Sequence, residues 1–372
     1  MQVGFHLKRF VDLTNWKSDA YHDRELQESW VCPSDGTRLV RILALVSLKC
    51  KEQVDLCCCP SCGLVTYAQR LSLAALQAYY RTQWMGESED EVRSKALEHR
   101  KAADEWLDQT RAMYDGDTSG AVLEIGVGYG KLVHQLRRSG FSHIYGVEAC
   151  PVRAHVVRNL YGIDVIEGDF VQLTIDELCY RLPKNQKFSV IHCHHVLEHI
   201  GDPGGFICRC FDILEPGGYL CLSLPNFYAE PSMGVALFWP HQFSYTANAI
   251  TRLLECCGFC VEDVMAGSSL HVTARKSTVP SCRSLEPFVQ MNYVQNAIRK
   301  LLNGFGFFCV GSDYVLTWQR DFDGAVWEQP SYAQWNTESP FPRKAICRLV
   351  NTFKTDAPIE IQFDDRVMLC HK

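Results

Sequence analysis

The tightest constraint in this sequence is a glycine-spaced turn. An apolar strand, Ala121–Ile125, runs through Glu124-Ile-Gly126-Val-Gly128-Tyr-Gly130, and a helix follows over Lys131–Ser139. Glycine is needed where the backbone turns through angles that a β-carbon forbids, and where a ligand must approach bare backbone. The following helix presents unpaired N–H groups and the positive end of its dipole, which suits an anionic ligand group. Twenty-two residues after Gly126 a second strand, Ile144–Val147, ends at Glu148. A carboxylate there accepts both hydroxyls of a ribose. A third strand, Asp164–Ile166, ends in Gly168-Asp169-Phe170. Asp169 is placed to accept from an exocyclic amino group of adenine, and Phe170 to pack near the ring. The bland alternative is a tight turn with surface acids; three strand ends in the right order, two of them acidic, argue against it. The spacing is G-x-G-x-G, not the G-x-G-x-x-G of dinucleotide enzymes, which disfavours a nicotinamide cofactor.

Strand and helix alternate from there. A helix near Arg153–Leu160 precedes the third strand, and a strand Phe188–Cys193 follows it. Then come a helix after Pro203, a Pro216-Gly217-Gly218 turn into strand Tyr219–Leu224, and a helix near Thr246–Cys256. This alternation predicts a mostly parallel sheet covered on both faces. The last two strands, Phe259–Met265 and Ser269–Ala274, lie too close for a helical crossover and predict an antiparallel hairpin at one end. Ahead of this core, Val92, Ala96, His99, Ala103, Trp106 and Met113 step at helical spacing. The expected division is a Cys-rich module over 1–70, a helical lead-in over 71–116, the α/β core over 117–275 and an accessory α/β region over 276–372. The last region shows a helix near Phe288–Leu302, strands at Tyr314–Trp318 and Ile359–Phe363, and the aromatics Trp318, Trp327 and Trp335.

Composition narrows the function classes. Of 372 residues 47% are apolar and 22% charged, an ordinary globular balance that excludes disorder and fibrous repeats. The net charge of −6 comes without a clustered basic patch, so no nucleic-acid partner is expected. No apolar run approaches the ~20 residues of a membrane span. The first ten residues lack the charged and apolar regions of a secretion signal. Nineteen cysteines fall below the density of a disulfide scaffold, and many sit inside apolar runs, so a reduced, cytoplasmic protein is expected.

The ordered pieces VLEIGVGYGKL, YGVEA, EGDF, FSVIHCHHVLEHIGDP, LEPGGYLCLSLPN and LLECCGFCVEDV resemble a class I S-adenosylmethionine-dependent methyltransferase over about residues 121–275. The resemblance implies a Rossmann-like sheet of seven strands, six parallel and one antiparallel. It implies that Glu124, Gly126, Gly128 and Gly130 line the methionine end of S-adenosylmethionine, that Glu148 takes the ribose and that Asp169 takes the adenine edge. His194 and His195, at the end of the fourth strand, would face cofactor or substrate. Val127 stands where many members carry a cysteine or small residue.

A sulfonium methyl needs little besides an aligned nucleophile, but a hydroxyl or carbon acid also needs a base near neutral pKa, which histidine supplies. The candidates are His195 and His241. His241 lies in Trp239-Pro-His241-Gln-Phe-Ser-Tyr245, after Leu224-Pro225-Asn226 at the carboxyl end of the sheet. Its alternative role is a loop histidine capping backbone. Tyr245 and Asn226 are weaker substrate candidates, and Trp239 and Phe243 wall a pocket or simply pack. His195-Val-Leu-Glu198-His199 also spells the H-x-x-E-H of some zinc peptidases. That chemistry needs a helix, whereas Gly201-Asp202-Pro203 breaks one, so Glu198 and His199 are expected to shape the loop.

Two turns of the form C-P-x-x-G, Cys32-Pro-Ser-Asp35-Gly36 and Cys59-Pro-Ser-Cys62-Gly63, have the form of zinc knuckles. Cys32, Asp35, Cys59 and Cys62 are the candidate ligands, with Cys50, Cys57 or Cys58 as substitutes for Asp35; a packed module without metal is the alternative. A knuckle module, a helical lead-in and this core together resemble sugar C-methyltransferases acting on nucleotide-linked deoxysugars, with Gly63-Leu-Val-Thr-Tyr67 and Tyr79-Tyr80 fitting that layout. The resemblance implies a small sugar-like or secondary-metabolite substrate methylated on oxygen or carbon, and a structural zinc ion. The second reading is a non-catalytic S-adenosylmethionine-binding scaffold whose zinc module binds a protein.

Overall fold

The computed structural model describes residues 26–46, 53–83, 86–99, 118–180, 182, 186–229, 241–277, 307–310, 313–316, 345–348, 359–363 and 366–370. They fall into two compact units. One takes Met1–Ala75, Pro225–Ile250 and Leu285–Lys372; the other takes Leu76–Leu224 and Thr251–Ser284.

The second unit holds α1 (Leu73–Gln83, entering from the first unit), α2 (Glu89–His99), β1 (Val122–Ile125), α3 (Lys131–Arg138), β2 (Ile144–Glu148), α4 (Pro151–Tyr161) and β3 (Asp164–Glu167). It continues with α5 (Ile175–Cys179), β4 (Phe188–His194), α6 (Pro203–Ile213), β5 (Leu214–Pro225), α7 (Ala247–Cys256, again shared), β6 (Phe259–Ala266) and β7 (Ser269–Lys276). Local chemistry sets the boundaries. Pro151 starts α4, and Gly162, at φ 64°, ends it in the left-handed conformation. Asp202 caps α6 by accepting from the Gly205 N–H at 3.0 Å. The five-residue α5 depends on a Thr174–Glu177 capping box, a signal that periodicity alone does not reveal.

The seven strands lie in the order β6-β7-β5-β4-β1-β2-β3. β1 runs parallel to β2 and β4, β2 to β3 and β4 to β5. β6 and β7 form the antiparallel hairpin, so one strand of the seven opposes the rest. This is the Rossmann-like α/β sheet that the resemblance implies. Every side chain of β1 is buried. Leu132, Val133 and Leu136 of α3 and Ala154, Val157 and Tyr161 of α4 pack with Val122, Val165 and Val190 in one cluster. Each large apolar side chain so buried contributes roughly 1.5–3 kcal/mol.

Pro216-Gly217-Gly218 differs from expectation. β5 already begins at Leu214, which pairs with Phe188, and the register slips before Tyr219 pairs with Val190. The turn residues form an irregularity inside the strand, with Gly217 at φ 81°.

In the first unit, strands Val40–Val46, Gln53–Cys58, Val65–Tyr67 and Phe243–Ser244 make a four-stranded antiparallel sheet. Leu26–Glu28 pairs with Gln69–Leu71. The segment at 243–244, which a linear division assigns to the core, thus completes the N-terminal sheet. The Thr66 hydroxyl donates to the Gln242 carbonyl at 2.7 Å, and the Thr246 hydroxyl to the Cys62 carbonyl at 2.6 Å. Strands Phe307–Val310, Asp313–Leu316, Ala345–Arg348, Ile359–Phe363 and Arg366–Cys370 form a five-stranded antiparallel sheet. The expected helix at 288–302, the aromatics Trp318, Trp327 and Trp335, and the helical positions Ala103, Trp106 and Met113 lie outside the described residues. No helix among the described residues is long and apolar enough to cross a membrane.

Candidate functional site

The glycine loop leaves β1 through three left-handed residues: Gly126 at φ 77°, Gly128 at 55° and Gly130 at 76°. A β-carbon at Gly126 would strike the Val196 side chain. One at Gly130 would come within 2.7 Å of the Tyr161 ring and 2.9 Å of Val157. A β-carbon at Gly128 would meet no neighbouring atom closer than 4.0 Å, so that side of the backbone is left unfilled. Glu148, at the end of β2, is buried, and its carboxylate accepts from the Gly128 N–H at 2.7 Å and the Cys150 N–H at 2.9 Å. Burial raises its pKa, and those two N–H groups oppose the rise. Glu124 is likewise buried, on β1.

Asp169 accepts from its own turn, the Val171 N–H at 3.2 Å, and from the Gln77 side-chain amide on α1 at 3.2 Å. Phe170 is committed to α6: its ring lies 5.0 Å from Phe206, with the Arg209 guanidinium 5.9 Å over its face. Sequence reasoning missed Gln77, because nothing in α1 marks which polar residue meets a turn 92 positions later.

The histidines at the end of β4 occupy different environments. His192 is fully buried, and burial pushes its pKa down to about 3. His194 is pushed well below the ordinary value by burial and then by neighbouring His192, His195, His271 and Lys131. His195 stands at φ 51°, the one positive-φ residue other than glycine among the described residues. Such strain persists only where surrounding structure enforces it, and it clusters at functional sites. Here the backbone is held by the His195 N–H donating to Ser223 at 2.9 Å. The His195 side chain is 54% exposed, and its Nδ1 lies 3.4 Å from the buried Glu198 carboxylate. That contact raises its pKa against the effect of burial. His199 places Nε2 at 3.9 Å from the same oxygen and sets its ring edge-on to Tyr80. Leu197–His199 is a single 3-10 turn, so the H-x-x-E-H spacing lacks the helix that a zinc peptidase needs.

His241 belongs to the first unit, where it is buried. Tyr245 and Phe243 are buried there too, with Arg70 5.0 Å over the Phe243 ring. The Asn226 side chain accepts from the Tyr228 N–H at 3.2 Å. Trp239 lies outside the described residues.

The two knuckles of the first unit are near copies. Gly36 donates to the Cys32 carbonyl and Gly63 to the Cys59 carbonyl, both at 2.9 Å, at φ 71° and 78°. Cys32 Sγ lies 3.6 Å from Cys62 Sγ. Cys59 Sγ lies 3.6 and 3.7 Å from the two Asp35 oxygens. One ligand atom from each of Cys32, Asp35, Cys59 and Cys62 falls within 4.8 Å of the others. Asp35, and neither Cys57 nor Cys58, is the fourth member of this cluster; Cys50 is outside the described residues. Cys59 is pushed down to about 4 by the flanking Cys32 and Cys62 thiols, while Cys32 and Cys62 are pushed up.

Residues 97–264 match the family model described as a methyltransferase domain. A ubiquinone biosynthesis O-methyltransferase of Xylella fastidiosa is 36% identical over 110 residues, 29% of this chain and 43% of that protein. A probable S-adenosylmethionine-dependent methyltransferase of Mycolicibacterium smegmatis is 30% identical over 113 residues, 30% of this chain and 41% of its own length. The match thus spans less than half of either relative. Among solved structures, an S-adenosylmethionine-dependent methyltransferase from Mesorhizobium loti aligns at 17% identity with TM-score 0.39, covering 47% of this chain and 99% of that one. Magnesium protoporphyrin IX methyltransferase from Synechocystis aligns at 17% identity and TM-score 0.37, covering 55% and 96%.

Proposed function

We infer that this chain, whose residues 97–264 match a methyltransferase domain, is a class I S-adenosylmethionine-dependent methyltransferase that transfers a methyl group to an oxygen of a small molecule. The observation that carries this reading is the Glu148 carboxylate seated on the N–H of Gly128, beside a stretch of bare backbone, at the carboxyl end of parallel strands. Such ends are where open α/β sheets bind ligands. When bound, the cofactor supplies a methyl group already activated on a sulfonium. Gly126, Gly128 and Gly130 would hold its methionine end together with Glu124. Glu148 would accept the ribose hydroxyls, and Asp169, steadied by Gln77, would accept from the adenine amino group.

His195 would take the proton of the substrate hydroxyl. Glu198 would orient the imidazole through Nδ1 and raises its pKa, leaving Nε2 as the acceptor. His241 is the second candidate base, and His194 lines the same strand end as His195. The named relatives that methylate oxygen favour a hydroxyl acceptor over a carbon. The paired knuckles favour a sugar-like or secondary-metabolite substrate, by the resemblance stated above.

The four knuckle side chains fit structural zinc. Tetrahedral zinc with ~2.3 Å bonds to sulfur and ~2.0–2.2 Å bonds to oxygen sets its ligand atoms roughly 3.5–3.8 Å apart. The observed separations of 3.6 and 3.7 Å lie in that range. Cys32, Asp35, Cys59 and Cys62 would close the site without an open position, so its role is to hold the module together.

Calorimetric titration with S-adenosylhomocysteine tests the reading. One micromolar site per chain is expected, and Glu148→Ala should weaken it by roughly 10- to 150-fold, the effect of a lost charged acceptor at about 1.5–3 kcal/mol. An absence of binding by folded protein would sink the cofactor reading. Wild-type affinity in Glu148→Ala would sink only the role given to Glu148.

A further inference from the structure

The residue between the second and third glycines of the loop is Tyr129, and it does not point idly into solvent. Its hydroxyl donates to Glu87 Oε1 at 2.7 Å. The same oxygen accepts from Lys95 Nζ at 2.6 Å. The other oxygen of Glu87 accepts from both Nε and Nη2 of Arg153, at 2.8 and 2.6 Å. Arg153 also lies 4.7 Å over the face of the Tyr129 ring, Lys95 5.7 Å over it, and the His99 ring 5.0 Å from it. All of these residues belong to the second unit. Glu87 immediately precedes the Ser88 cap of α2, and α2 is anchored by buried Val92 and Ala96. Arg153 stands in the first turn of α4. Glu87 and Arg153 are largely shielded, with side chains 16% and 15% exposed, so this ion pair is screened less than a surface one.

Charge arithmetic makes Glu87 the keystone. Without it, two cations, Arg153 and Lys95, would both lie over the Tyr129 ring and lose the carboxylate that joins them. Like charges at that range repel, and the softest element that could yield is the loop carrying the ring. Two separate acids therefore pin two consecutive loop residues: Glu148 at the Gly128 N–H and Glu87 at the Tyr129 hydroxyl. We propose that Glu87 is a positioning residue for the cofactor: by bridging Tyr129 to Arg153 it holds Gly128–Gly130 in the left-handed turn that cofactor binding needs. This rests on the cofactor reading above and extends it to a residue outside the sheet. A preorganised loop loses no further order on binding, so the benefit is read in cofactor affinity and residence time, not in the chemical step.

The test is the affinity and dissociation rate of S-adenosylhomocysteine for wild type, Glu87→Gln, Tyr129→Phe and the double variant. Glu87→Gln keeps a hydrogen-bond acceptor for Tyr129 and removes the charge. It should weaken binding about tenfold, mainly through faster dissociation, as loss of a charge-assisted contact predicts. Tyr129→Phe should weaken it about threefold, and the double variant should lose less than the product of the two single losses, because both changes weaken one linkage. Wild-type affinity and dissociation in Glu87→Gln, or fully additive losses in the double variant, would overturn the proposal. If Glu87→Gln proves unfolded by circular dichroism, Tyr129→Phe decides, since it leaves the ion pair intact; unchanged dissociation there overturns the proposal. A wild-type chain that binds no S-adenosylhomocysteine would instead overturn the cofactor reading on which this one rests.

Discussion

The glycine loop of the second unit and the knuckles of the first use the same backbone device in opposite ways. Both turn through glycines in the left-handed region, at φ 76–77° for Gly126 and Gly130 and 71–78° for Gly36 and Gly63. Around Gly126 and Gly130 the space a β-carbon would take is already filled by Val196, Tyr161 and Val157; around Gly36 nothing lies within 4 Å. The loop needs glycine twice over, for its angle and for its packing, whereas the first knuckle needs it for the angle alone. The loop leaves the β-carbon side of Gly128 unfilled, as a site for a large organic ligand would. The knuckles draw four side chains inward, as an ion site would. A site for a molecule is built by exclusion, and a site for an ion by convergence.

The largest expected effect separates the two regions completely. On the proposed zinc reading, Cys59→Ser or a strong chelator should release zinc and unfold the Cys-rich strands, since structural zinc supplies roughly 10 kcal/mol or more of apparent folding energy. Zinc content by mass spectrometry and hydrogen exchange over residues 53–67 would report it, with residues 122–148 staying protected. Protection unchanged in metal-free protein would make the knuckles a packed module instead. The next effect compares glycines directly. Gly130→Ala should lose about 2–5 kcal/mol, combining left-handed strain of ~1–2 with overpacking of ~1–3. Gly36→Ala should lose only the strain, about 1–2 kcal/mol. Equal losses, measured by denaturant unfolding, would break the contrast.

What was legible in the sequence follows the same division. The succession of strands and helices along the chain, the terminal hairpin, the glycine turn and the place of Glu148 at a strand end could be read because each depends on neighbours close in the chain: a periodicity, a turn residue, an acid at a strand end. The knuckle pair could be read because each turn is a five-residue pattern, though only the structure brings Asp35, and neither Cys57 nor Cys58, into one cluster with Cys32, Cys59 and Cys62. What could not be read are long-range meetings of ordinary polar residues. Gln77 meets Asp169 across 92 positions and Glu87 meets Arg153 across 66. No local rule distinguishes Glu87 from the acids at 89, 90 and 91 that merely begin a helix. Phe243–Ser244 was assigned to the core by its place in the chain; it pairs with Thr66 and Val65 because register and hydrogen bonding, not sequence distance, decide a sheet edge. His195 is an intermediate case. Its place at a strand end was visible, but its left-handed backbone and its contact with Glu198 were not.

The most gradual effect, small per pH unit, concerns acid, to which both units should respond for different reasons. His192 is fully buried, and burial holds its pKa at about 3, against ~6.5 for an exposed imidazole. Between about pH 6.5 and 3 the unfolded chain takes up a proton that the folded one refuses, so the second unit loses stability as pH falls through that window, by up to ~1.4 kcal/mol per pH unit for this one group. His192→Leu should flatten that slope whatever it does at neutral pH. In the first unit, on the zinc reading, acid competes with metal for Cys32, Asp35, Cys59 and Cys62, so its transition should move to lower pH as zinc is raised. Hydrogen exchange followed against pH at two zinc concentrations reads both at once. Residues 188–194 should give superimposable curves, while residues 53–67 should not. A common shift of both segments with zinc would mean that the ion stabilises the whole chain, and the two sites would have to be treated as one cooperative system.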